Sequence, residues 1–158
     1  MSKRIKIESV ESGISAVAEL LEKEAPETCK LMWGCLEEPM ETEGIQAMWV
    51  GPELMFNMPE ENRKGDPTSL PQENATAYSI PGDILFAYFP PRETQQYYDE
   101  IRDKPIWDFF LIYGPDPIFG RRCTVWARIV EGLEDLAREC KKIREEGTKL
   151  FRVSRLDE

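Results

Sequence analysis

From Arg4 to Val10 charged residues alternate with Ile5, Ile7 and Ser9, the period of a half-buried strand. Glu11-Ser12-Gly13 predicts a tight turn into a second strand, Ile14 to Leu21. The period then changes. Cys29, Met32, Trp33 and Leu36 fall at i, i+3, i+4 and i+7, so a short helix with one apolar face is expected from Pro26 onward. Pro26 suits the first helical position, where its missing N–H costs nothing, and Glu27 adds negative charge at the positive end of the helix.

Beyond Leu36, the stretch Glu37 to Gly44 reads as a polar loop, followed by a third strand, Ile45 to Gly51, and a fourth, Glu53 to Met58. Pro59 to Asn74 is rich in turn-forming and charged residues and reads as a long surface loop. Ala75 to Ile80 and Asp83 to Tyr88 read as strands around Pro81-Gly82, with Asp83 as a turn residue. Phe89-Pro90-Pro91 ends that run, and Arg92 to Lys104 is a polar insert dotted with aromatics, with a helical turn expected around Gln95 to Ile101. Pro105 to Tyr113 and Cys123 to Val130 are apolar enough for buried strands. Leu133, Leu136, Ala137 and Cys140 then mark the inner face of a second helix, acidic in its first turn and basic near its end, which Gly147 stops. Leu150 to Leu156 alternates as a closing strand. Seven or eight short strands with two helices predict a mainly β fold, a closed β-barrel with a helix capping each mouth, as one domain over residues 1–158.

Composition narrows the functions. The 158 residues carry a formal charge of −10, which disfavours phosphate backbones and anionic membranes, so neither a nucleic-acid nor a membrane partner is expected. No apolar run is long enough to span a bilayer, and Lys3, Arg4 and Lys6 stand where a signal peptide needs apolar residues, so a cytoplasmic location is expected. Histidine is absent, which removes histidine-based nucleophile triads and proton shuttles and makes a zinc site improbable. Cys29, Cys35, Cys123 and Cys140 form no C-x-x-C pair and are expected to be reduced, buried thiols. No cofactor and no metal are expected.

Two stretches carry a resemblance to the cyclophilins. Ala18-Glu19-Leu20-Leu21 through Glu24-Ala25-Pro26-Glu27-Thr28 to Trp33 and Leu36 resembles the cyclophilin strand, Ala/Val-Pro-x-Thr turn and first helix. Val125-Trp126-Ala127-Arg128-Ile129-Val130-Glu131-Gly132-Leu133 is similar to the Val-Phe-Gly-x-Val-x-Glu-Gly-Met run before the last cyclophilin helix. Pro81-Gly82-Asp83-Ile84 and Ile112-Tyr113-Gly114 look like elements of the compact bacterial and archaeal cyclophilin-like proteins of unknown function. The resemblance implies a barrel with a binding face, and it fails at the residues that isomerise proline. Where a prolyl isomerase has Phe-His-Arg-Val, this chain has Ile45-Gln46-Ala47-Met48; Glu53 to Met58 holds no Gln-Gly-Gly-Asp; and Gly120-Arg121-Arg122-Cys123 lacks the histidine of Gly-x-His-Val-Val-Phe. The arginine that would polarise the substrate amide has no counterpart.

The expected ligand-binding residues are therefore Gln46, Met48, Phe56, Tyr113, Arg121 and Arg122. Met48, Trp49, Met55, Phe56 and Met58 are candidates for an apolar pocket on the outer face, although half of such a set is expected in the core. Arg121 and Arg122 suit a carboxylate or phosphate, with a solvated turn as the plainer reading. Gln46 and Tyr113 suit a polar ligand, Gln46 equally a loop carbonyl. Glu37, Glu38, Glu41 and Glu43 lack the spacing of a calcium loop and read as solvated. A small-molecule or peptide ligand is expected, in a pocket between the third and fourth strands and the loops Pro59 to Asn74 and Gly114 to Arg122. A homo-oligomer built on Tyr97, Tyr98 and Trp107 and a weak prolyl isomerase are the alternatives.

Overall fold

The computed structural model describes residues 2–47, 50–93 and 103–156. Among the described residues nine strands form one antiparallel sheet: β1 Arg4–Ser9, β2 Ser15–Leu20, β3 Met40–Gln46, β4 Glu53–Asn57, β5 Ala75–Thr76, β6 Asp83–Phe89, β7 Ile106–Ile112, β8 Cys123–Glu131 and β9 Lys149–Leu156. Eight of them run β2-β1-β9-β3-β4-β7-β6-β8, and β8 pairs back onto β2, so the sheet closes into a barrel. The two-residue β5 lies against the start of β8. Helices α1, Pro26–Cys35, and α2, Leu133–Glu146, cap it. The cyclophilin-like architecture expected from the sequence is thus present.

Side-chain alternation fills the barrel. The fully buried Phe56, Phe109, Trp126 and Phe151 meet at its centre, with Phe56 stacked on Phe109 at 4.9 Å and edge-on to Phe151 at 5.4 Å. Phe56 is therefore a core residue and not part of an outer pocket, because β4 turns Leu54, Phe56 and Met58 inward and Glu53, Met55 and Asn57 outward. Trp107, expected in the strand Pro105 to Tyr113 and also offered as an oligomer contact, is the first inward residue of β7 and packs on Phe86 at 6.1 Å. Tyr97, Tyr98 and the helical turn expected around Gln95 to Ile101 lie outside the described residues.

Both helices begin and end as their sequences require. Pro26 opens α1 with Glu27 in the first turn, and Cys29, Met32 and Leu36 are buried, while Trp33 is only half-buried under the Arg155 guanidinium. α2 starts after Gly132, whose φ of +79° is left-handed; a Cβ there would stand 2.5 Å from the Ser15 carbonyl oxygen. Its buried face is Leu136, Ala137, Glu139, Cys140 and Ile143. Glu139 is paired: Ser9 Oγ donates to it at 3.0 Å, and Lys142 and Lys149 approach at 3.2 and 3.8 Å.

Two strand readings and one loop reading are corrected. The third strand is Met40–Gln46, not Ile45 to Gly51, and it pairs with β9 along most of its length. Its inward positions are Met40 and Gly44, and a Cβ on Gly44 would lie 2.7 Å from Phe151, so the barrel leaves room only for glycine and the apolar alternation is hidden. The strand expected over Ala75 to Ile80 shrinks to Ala75–Thr76. The expected loop of residues 59–74 holds two 3-10 turns, Glu60–Asn62 and Pro67–Ser69. Asn62 and Arg63 tie it to the body, Asn62 through the Cys35 and Glu38 carbonyls and Arg63 through those of Met58 and Pro105. Of the acidic run, Glu37 pairs with Lys64 and Glu41 with Arg152, and no three acidic or thiol groups converge on a metal position among the described residues.

Candidate functional site

A second apolar layer lies outside the barrel wall. The outward residues Met55 of β4, Phe110 and Ile112 of β7, Leu85 and Ala87 of β6, and Cys123 and Val125 of β8 form it. Pairing registers set Leu85 beside both Phe110 and Val125, Phe110 beside Met55, and Asp108 between Ala87 and Asn57. The segment 114–122 crosses this floor. Ile118 N–H donates to the Val50 carbonyl at 2.9 Å, and Phe119 packs on Phe110 at 5.7 Å. Arg121 lies over the Phe89 ring at 4.3 Å and reaches Glu93 at 3.3 Å.

Two carboxyl groups are sunk in this apolar floor. Glu53 is 3% and Asp108 5% exposed, and neither Glu53 Oε2 nor Asp108 Oδ1 has a hydrogen-bond partner. Burial pushes Glu53 up to about 8, with the Asp108 charge adding to it, and pushes Asp108 up to about 7 against the favourable Arg121 cation. Glu139 makes the contrast, because burial would raise it too, yet hydrogen bonds from Lys142 and Ser9 outweigh that and hold it low. Burial also raises the Cys123 thiol, against the nearby Arg121, so it is kept protonated and is a poor nucleophile.

Beside Arg121 a shallow groove opens on the flank. Thr28 of α1, Leu70 and Gln72, Tyr88 of β6, and Arg122 and Thr124 line it. The expected loops Pro59 to Asn74 and Gly114 to Arg122 both reach this groove, whereas its strands are β6 and β8 rather than the third and fourth.

The six expected ligand residues do not converge. Arg121 and Arg122 stand together at the groove. Gln46 and Tyr113 are hydrogen-bonded to each other elsewhere, where Gln46 Nε2 also donates to the Ala47 and Gly51 carbonyls at 3.1 and 2.5 Å, bracing the turn between β3 and β4. Phe56 is inside the barrel. Met48 lies outside the described residues. Sequence reasoning missed Glu53 and Asp108. Asp108 had a signal, a carboxylate interrupting the apolar run Ile106 to Tyr113, whereas Glu53, the first residue of the expected fourth strand, had none.

Residues 7–155 match the family model described as protein of unknown function DUF3830. The chain belongs to that family. No curated protein matches it. Among solved structures, McbB in complex with tryptophan superposes with a TM-score of 0.68 at 21% identity, over 98% of this chain and 45% of McbB. The DUF3830 chain thus spans less than half the length of that protein. A hypothetical protein from Archaeoglobus fulgidus superposes with a TM-score of 0.56 at 21% identity, over 98% of this chain and 95% of that one. Both likenesses show the barrel fold. No helix among the described residues is long and apolar enough to cross a membrane.

Proposed function

We propose that this DUF3830 protein binds a small molecule in the groove between the loops of residues 59–74 and 114–122, lined by Thr28, Leu70, Tyr88, Arg121, Arg122 and Thr124, and that it does not isomerise proline. The observation that carries the reading is that Arg121 and Arg122, two of the expected ligand residues, line this groove together with Thr28, whose buried Oγ1 has no hydrogen-bond partner. A buried polar atom left unpaired costs roughly 1–3 kcal/mol, which a ligand able to hydrogen-bond it offsets. The barrel shared with McbB, which is described in complex with tryptophan, supports a small ligand over a peptide. A fragment library containing Xaa-Pro peptides, screened by thermal shift and mapped through methyl resonances of Thr28, Leu70 and Thr124, tests it. Hits that move these methyls are expected; hits mapping only to Gln46 and Tyr113, or none, would sink the site.

A homo-oligomer is the second reading. It is favoured by Tyr78, Ile80 and Ile118, which are 88%, 51% and 76% exposed. Light scattering that finds a monomer at high concentration removes it. A cytoplasmic location, with no nucleic-acid partner, fits the net charge of −10.

A further inference from the structure

The groove that Thr28, Arg121 and Arg122 share holds one cation that no carboxylate balances. Among the described residues the Arg121 guanidinium is held by Glu93 at 3.3 Å and by the Phe89 ring, whereas Arg122 forms no ion pair. At the opposite wall Glu73 accepts from the Thr28 N–H at 2.6 Å and offsets the positive end of α1. One guanidinium is left over. A monoanion balances it, while a dianion brings a charge to spare among Glu73 and Glu93, in a chain already at −10. The frame is built in advance: Thr124 pairs with Phe86 of β6 and Ala75 of β5, and Asn74 Nδ2 donates to the Val125 carbonyl at 2.8 Å, which ties the end of the 59–74 loop to β8. Thr28 is wholly buried, and its unpartnered hydroxyl can donate to an anion. Pro67, Leu70, Pro71 and Ala87 make the rest of the lining apolar. The volume of about 170 Å³ lies below the roughly 300–1,000 Å³ of drug-sized sites, so the ligand is compact.

We propose that the groove takes a small monocarboxylic acid with an apolar body: Arg122 pairs with the carboxylate, Thr28 Oγ1 donates to it, and Leu70 with the two prolines covers the body. This rests on the small-molecule reading above and names the ligand's charge and size. A planar guanidinium matches a carboxylate with two parallel hydrogen bonds, which fixes orientation as well as charge.

Titrations of the intact chain with three probes sharing one ring, followed through the Thr28, Leu70 and Thr124 methyls, test the proposal: benzoate is the monoanion, benzamide its neutral counterpart and phenyl phosphate the dianion. Benzoate is expected to bind most tightly. Arg122→Gln is expected to weaken benzoate by about tenfold or more, the scale of a lost charge-assisted pair, and to leave benzamide unchanged. Thr28→Val keeps the side-chain shape and deletes a hydroxyl that is unpaired in the free protein. It is expected to weaken benzoate while the melting temperature holds or rises, whereas a merely structural threonine would lose melting temperature and leave benzoate affinity alone. Benzamide binding as tightly as benzoate, or benzoate binding Arg122→Gln undiminished, overturns the carboxylate assignment, and phenyl phosphate binding more tightly than benzoate gives the groove to phosphates instead. Silence of benzoate while the fragment library yields neutral or cationic ligands on the same methyls also overturns it and leaves the site standing. A library with no hit at all takes both readings down.

Discussion

Glu53 and Asp108 make the protein's stability depend on pH in an unusual direction. Both are held above their ordinary range by burial, at about 8 and about 7, so the folded state keeps protons that the unfolded chain releases. Stability therefore falls as pH rises from about 4, where the unfolded carboxyls begin to ionise while the folded ones stay protonated, to about 8. Glu139, held low by its partners, works the other way but only in the acid range, and the charged or titratable neighbours of the pair are Arg121 on the crossing segment and Cys123 of β8. Glu53→Gln or Asp108→Asn is expected to be more stable than the natural chain at pH 8 by on the order of 1–3 kcal/mol and nearly equal to it at pH 4.5. Urea melts across that range check this, and a natural chain that gains stability from pH 5 to 8 relative to both variants would contradict it.

For single elements, the third strand shows how packing selects residues that propensity would not. Gly44 faces inward where Phe151 and Leu54 have already filled the space, with a Cβ at 2.7 and 3.0 Å from them. Gly44→Ala gains backbone rigidity but displaces an aromatic ring at the barrel centre, and overpacking of that kind costs about 1–3 kcal/mol. A lower denaturation midpoint is expected, with unchanged slope. Gly132 before α2 is the sharper case, because alanine there meets both a left-handed φ of +79° and the Ser15 carbonyl at 2.5 Å. Gly132→Ala is expected to destabilise more than Gly44→Ala, since a backbone carbonyl yields less readily than a ring; equal midpoints would show that the loop before α2 relaxes freely.

Taken whole, the molecule is a cyclophilin-like barrel with Gln46-Ala47-Met48 where, by the resemblance, a prolyl isomerase carries its amide-polarising arginine. Removing one such donor costs about 2.7–4 kcal/mol, a hundredfold to a thousandfold in rate. The mobile candidates to replace it are engaged: Arg63 donates to the Met58 and Pro105 carbonyls, Lys64 pairs with Glu37, Arg92 with Asp103 and Arg121 with Glu93. No acceleration of Xaa-Pro isomerisation is expected in a peptide assay, nor any cyclosporin binding. A rate enhancement that disappears in Arg121→Ala would place the missing arginine on the crossing segment.

Much of this was written locally. Alternation and turn residues fixed β1, β2, β6, β7, β8 and β9 to within a few residues, and Pro26, Gly132 and Gly147 bounded the helices, because each acts through its own φ or its own missing N–H. The failures share one cause. Gly44 is inward only because Phe151, over a hundred positions later, occupies its space; Phe56 is core because β4 lies between β3 and β7; Gln46 braces a turn because β3 ends where it does. Glu53 and Asp108 read as unremarkable acids until the barrel closes, since their burial comes from the outer layer of four strands and a crossing segment. A sequence pattern reports which face of an element is apolar. Which side of a closed sheet that face meets, and whether a charge on it finds a partner, depends on chain segments far apart in sequence, and only the tertiary structure brings them together.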